Sequence, residues 1–62
     1  MSDRQYQILN ELEYLGSATA SQLSFELGGI PEASIRRDIQ SLRRQGHNIA
    51  FASPNGVYRL GK

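Results

Sequence analysis

Apolar side chains recur with a helical period up to Gly46 and with a period of two beyond it. The helical part divides into three predicted helices: one beginning near Asp3, a short one after Thr19 and a third after Pro31. Their apolar positions are Ile8, Leu9, Leu12 and Leu15 in the first helix, Leu23 and Leu27 in the second, and Ile35, Ile39 and Leu42 in the third. From Asn48 onward, the alternation predicts two strands joined by a turn.

Local signals mark the boundaries of the second and third helices. Thr19 and Gln22 have the T-x-x-Q spacing of a capping box, which satisfies free amides at a helix start. The Gly28-Gly29 pair ends the second helix, because consecutive glycines lose much chain entropy in a helix and accept positive φ. Pro31 fits the first turn of the third helix, where its missing N–H is not needed.

The hairpin and the first helix are expected to complete the apolar core. The segment Ser53-Pro54-Asn55-Gly56 has the composition of a hairpin turn. Because an isolated hairpin is only marginally stable in water, one of its faces should pack on the helices. That face is expected to consist of Ile49, Phe51, Tyr58 and Leu60. Tyr6 is expected to extend the apolar stripe of the first helix.

A chain of 62 residues accommodates one domain, 1–62, with a small core. Such a core leaves little room for the cavity of about 300 Å³ or more that most small-molecule sites need. There is no cysteine, and His47 is the only histidine, so no metal site is expected. No apolar run approaches the roughly 20 residues of a membrane helix, and the opening MSDRQYQ is unlike a signal peptide. We therefore expect a soluble, cytoplasmic, non-enzymatic protein without cofactor, metal or membrane contact.

Charge is unevenly divided along the chain, although the formal net charge is only +1. Residues 1–32 contain one arginine and five acidic residues, for a net charge of −4. Residues 33–62 contain six basic residues and one acidic residue, for a net charge of +5. A basic segment in a small protein indicates an anionic partner, with a solvated, salt-bridged helix as the alternative.

The third predicted helix carries most of this positive charge. At about 100° per residue, the positions facing away from its apolar stripe are Arg37, Gln40 and Arg44, with Ser34 and Ser41 beside them and Arg36 and Arg43 on a flank. A helix of about 10–12 Å diameter fits the major groove of B-DNA while its apolar stripe stays packed. The order of elements is that of a winged helix-turn-helix, mostly α with a small β-hairpin: three helices plus a two-stranded wing.

Two stretches resemble known DNA-binding families over nearly the whole chain. "PEASIRRDIQSLRRQG" resembles the recognition helix of the DeoR-type regulators. "IQSLRRQGHNIAFASPNGVYRL" is similar to the end of the N-terminal DNA-binding domain of biotin operon repressors, whose P-x-G-x-Y wing appears here as Pro54, Gly56 and Tyr58. Pro31 stands where those families have a hydroxyl cap, and Gly28-Gly29 lengthens the turn by one residue. Because the chain ends two residues after Leu60, their ligand-sensing or catalytic domains are not expected here.

The resemblance and the helical projection together imply roles for individual side chains. Base edges are expected to be contacted by Ser34, Arg37, Gln40 and Ser41, and phosphates by Arg36, Arg43 and Arg44. The wing is expected to contact DNA through Asn55 and Arg59. Two alternatives remain open: Arg36 pairs with Glu32 or Gln40 within the helix, and Asn55-Gly56 serves turn geometry alone.

The resulting hypothesis is a small sequence-specific regulator that binds double-stranded DNA, of the size found among phage or mobile-element regulators. One such module buries only about 600–1,000 Å² of protein surface on DNA, so a homodimer or a partner protein is expected to assist it. Two alternatives are an excisionase-like DNA-architectural factor and a winged helix that binds an acidic protein.

Overall fold

The computed structural model describes residues 3–61 and contains three helices and a small antiparallel sheet. In chain order the elements are α1 Asp3–Leu15, β1 Ala18–Thr19, α2 Ala20–Glu26, α3 Glu32–Arg44, β2 Ile49–Ala52 and β3 Val57–Leu60. This arrangement confirms the predicted winged helix-turn-helix, with α2 and α3 as the helix-turn-helix and the β2–β3 hairpin as the wing.

The apolar stripes of the three helices meet in one core. Its fully buried side chains are Ile8 and Leu12 of α1, Leu23 of α2, and Ile35, Ile39 and Leu42 of α3. Complete burial of an aliphatic side chain of this size is worth about 1.5–3 kcal/mol. All six come from the predicted positions, so the helical period identified the centre of the core.

The sheet has one strand more than the sequence predicted. Its strand order is β1-β3-β2, and the two-residue strand β1 pairs with β3 through Ala18 opposite Tyr58 and Thr19 opposite Val57. Two residues are too few to produce a recognisable alternation. The extra pairing joins β3 of the wing to the residues immediately before α2. The strand β2 itself begins at Ile49, one residue later than predicted.

Two aromatic residues expected in the core are exposed. Tyr6 is 54% exposed because it lies on the side of α1 opposite Ile8. Phe51 is 52% exposed and lies on β2, an edge strand of the sheet, where its ring packs at 5.0 Å between centroids on Tyr58 of the central strand. Ile49 and Tyr58 are buried as expected, and Leu60 packs against the core. Leu15, at the end of the α1 stripe, is 36% exposed.

The turn between α2 and α3 is built largely from the predicted signals. The Thr19 hydroxyl accepts a hydrogen bond of 3.0 Å from the backbone N–H of Gln22. Gly28 and Gly29 have φ of +91° and +89°, a conformation that costs residues with a Cβ about 1–2 kcal/mol. Pro31 precedes the helix at its N-cap position instead of lying inside the first turn, since its ψ of 139° is extended. These features set where α3 begins.

Candidate nucleic-acid interface

The amphipathic helix α3 has one face in the core and one in solvent. Its buried residues are Ile35, Asp38, Ile39 and Leu42. The side chains of Arg37, Gln40 and Arg44 are exposed on the opposite face. Within residues 3–61 these three side chains have no hydrogen bond or ion pair. Their donors are therefore available to a ligand.

Ser34 and Ser41 lie at the edge of this exposed face and are partly buried. The Ser41 hydroxyl accepts a hydrogen bond of 3.3 Å from the side-chain amide of Gln45. The same amide donates to Oε1 of Gln5 in α1 at 3.1 Å. The serine edge of α3 is thus the side that borders α1.

Arg36 and Arg43 lie on the other flank of α3, and both have intramolecular partners. Nη1 of Arg36 is 3.6 Å from Oε1 of Glu32, and the two side chains are about half exposed. A solvated pair with this i, i+4 spacing contributes about 0.2–0.5 kcal/mol, which a phosphate contact can replace. Nε of Arg43 donates to the backbone carbonyl of Ile49 at 2.9 Å, which ties the end of α3 to the start of β2.

The wing places Asn55 and Arg59 at separate points. Asn55 is exposed in the turn between β2 and β3, and Gly56 beside it has φ of +67°. Arg59 is exposed on β3, opposite Ala50 and on the face of the strand away from Tyr58. Arg59 is the only cation in the hairpin, because no lysine or arginine occurs between residues 45 and 58.

A comparison with protein-family models identifies the type of helix-turn-helix. The model of the DeoR-like helix-turn-helix domain matches residues 4–50, which include all of α2 and α3 and nearly all of α1. The chain belongs to this family. Neither the comparison with curated proteins nor the comparison with solved structures finds a match. As a DeoR-like helix-turn-helix domain, the chain is a DNA-binding domain of the kind used in transcription regulation.

Sequence reasoning missed an ion pair in the DeoR-like domain, between Arg4 of α1 and Asp38 of α3. Nη2 of Arg4 lies 3.3 Å from Oδ1 of Asp38, and its Nε donates to Oδ2. Asp38 is only 6% exposed. The position of Asp38 beside the apolar stripe indicates that it needs a partner, since a buried carboxylate is costly without one. Nothing in the sequence indicates that the partner lies 34 residues away.

Residues 3–61 contain no group of three or more side chains suited to a metal ion, and they enclose no detectable cavity. None of the helices described is both long enough and apolar enough to pass through a lipid bilayer. The candidate site is the exposed surface of α3 and the wing.

Proposed function

We propose that this DeoR-like domain recognises a specific double-stranded DNA sequence by inserting α3 into the major groove. The observation that carries the proposal is the exposed face of Arg37, Gln40 and Arg44, whose side chains have no partner within residues 3–61. A guanidinium matches O6 and N7 of guanine, and a carboxamide matches N6 and N7 of adenine. Bound in this way, the domain regulates transcription in the cytoplasm by occupying its site, without a catalytic step.

The side chains of α3 divide into two roles in this proposal. Arg37 and Gln40 read base edges, and Ser34 and Ser41 add contacts at the edge near α1. Arg36, Arg43 and Arg44 contact phosphates, and the wing contributes Asn55 and Arg59 beside the groove. Arg37 lies in the first half of the helix, the part of a recognition helix that reaches base edges in this architecture.

The small size of the domain is the reason to expect that it binds DNA together with a second protein. A single small domain buries about 600–1,000 Å² of protein surface on DNA, which limits affinity at physiological salt. We therefore propose that two copies, or this chain and a partner protein, occupy neighbouring half-sites. A palindromic sequence selected from a random duplex pool supports a twofold pair, because half-sites mirror the symmetry of the protein.

The roles of two arginines are tested by comparing variants on the selected duplex and on mismatched duplexes. Arg37→Ala should weaken binding to the selected duplex by about 1–3 kcal/mol and relax the preference at one base pair. Arg44→Ala should weaken binding about equally on all duplexes and reduce the slope of log K against log salt by about one unit. Fluorescence anisotropy at several salt concentrations measures both effects.

Glu13→Gln is the control for net charge: it changes that charge by one unit, in the opposite sense to the arginine variants, at an exposed position of α1. Its salt slope should equal that of the wild type. Equal losses on every duplex for both arginine variants would contradict the division into base and phosphate contacts. Wild-type affinity no higher than that of an unrelated protein of similar charge would contradict DNA recognition itself, and leave a protein-binding winged helix as the alternative.

A further inference from the structure

Arg4 differs from the acidic residues of α1 in the direction it faces. At about 100° per residue it falls on the side of Ile8 and Leu12, whereas Asp3 and Glu13 fall on the opposite side. Glu11 projects in nearly the same direction as Arg4 but lies two turns, about 10 Å, further along the helix. The only cation of α1 is therefore directed towards α3.

Asp38 holds the Arg4 guanidinium in a defined orientation. The carboxylate accepts from Nε and from Nη2 of Arg4, which is the bidentate geometry that suits a planar fork. An arginine side chain has five N–H donors, so three remain after these two bonds. The Arg4 side chain is 41% exposed, whereas that of Asp38 is 9% exposed. The ion pair is closed towards the core and leaves part of the guanidinium open to solvent.

This guanidinium lies beside the edge of α3 that has no cation of its own. Taking Ile35 as zero, Arg36 and Arg43 project at about 80–100°, whereas Ser34 and Ser41 project at about 240–260°. Asp38 projects at about 300°, next to the serine edge. The contact between Gln5 and Gln45 places the first turn of α1 along the same edge.

We infer that Arg4 contacts a DNA phosphate, with Asp38 as the residue that positions it; the inference rests on the proposed function. A helix in the major groove has a phosphate backbone on each side. Arg36 and Arg43 are placed for one backbone, and Arg4 supplies the cation for the other. Asp38 turns the fork of Arg4 so that its free N–H groups face outward, in the manner of a fixed phosphate clamp.

The test removes the pair without changing the net charge. The double variant Arg4→Gln with Asp38→Asn should have a salt slope about 0.9 units smaller than the wild type. When salt is raised from 50 to 200 mM, the fold-loss in affinity should therefore be about 3.5 times smaller for the double variant than for the wild type. Asp38→Asn alone retains the cation but loses the carboxylate that positions it, so its slope should lie between those of the wild type and the double variant. Base preference in a selection from random duplexes should be unchanged in the double variant, since phosphates carry no direct sequence information.

A wild-type salt slope in the folded double variant overturns the inference and leaves the proposed function intact. Absence of specific binding by the wild type overturns both, so the two failures are distinguishable. Should the double variant fail to fold, the Nε–Hε signal of Arg4 is followed by nuclear magnetic resonance in the wild-type protein during titration with duplex. A shift that saturates with binding supports the contact, and an unchanged signal at saturation overturns it.

Discussion

The ion pair between Arg4 and Asp38 should respond unequally to removal of its two members. Arg4→Ala leaves a carboxylate that is 9% exposed and has no other partner within residues 3–61. Breaking a buried pair in this way costs about 3–5 kcal/mol. Asp38→Ala leaves a guanidinium that is 41% exposed and can turn to water, so the loss is limited to about 1–2 kcal/mol of hydrogen bonding.

These losses are large for a domain of this size. At about 0.05–0.15 kcal/mol per residue, 62 residues give a free energy of unfolding of about 3–9 kcal/mol. Arg4→Ala should therefore remove about a third or more of the free energy of unfolding, and Asp38→Ala should remove a smaller part. Urea denaturation followed by circular dichroism measures both values. The double alanine variant should be more stable than Arg4→Ala, because it removes the orphaned carboxylate. A cost for Asp38→Ala equal to or above that for Arg4→Ala would refute the reasoning from exposure.

Two further variants test the assignment of core and surface by the same denaturation assay. Ile39→Ala should cost about 2–5 kcal/mol, since Ile39 is fully buried in the middle of the α3 stripe and its loss opens a cavity. A cost below about 1 kcal/mol would contradict that placement. Phe51→Ala should cost about 1 kcal/mol or less, because the ring is half exposed and contacts Tyr58 on the wing. A loss as large as that of Ile39→Ala would mean that the ring belongs to the core.

The helical part of the fold was predictable because its signals are local and repeated. The apolar stripes of α1 and α3 each recur over about two turns, and the second helix begins at a cap that needs only Thr19 and the amide of Gln22. The glycine pair at 28 and 29 likewise acts through its own backbone, with positive φ at both residues. For the same reason, the outward direction of Arg37 and Arg44 followed from the stripe alone.

The features that sequence reasoning missed depend on contacts between distant parts of the chain. The strand β1 exists because Ala18 and Thr19 meet β3, about 40 residues later. Phe51 and Ile49 alternate correctly and share one face of β2, yet only Ile49 reaches the helices. Whether a strand lies at the edge of the sheet, as β2 does, is a property of the packed molecule, which a twofold pattern does not contain.

The same distinction applies to the charges. Dividing the sequence in half assigned Arg4 to an acidic segment and Asp38 to a basic one. In the folded domain these two residues bond to each other, so Asp38 brings the one cation of α1 to the flank of α3. The surface around α3 therefore takes a cation from α1, and the same contact shields Asp38. The distribution of charge around α3 is in this case a product of helix packing, and changing the pair alters that distribution even where no residue of the exposed α3 face is touched.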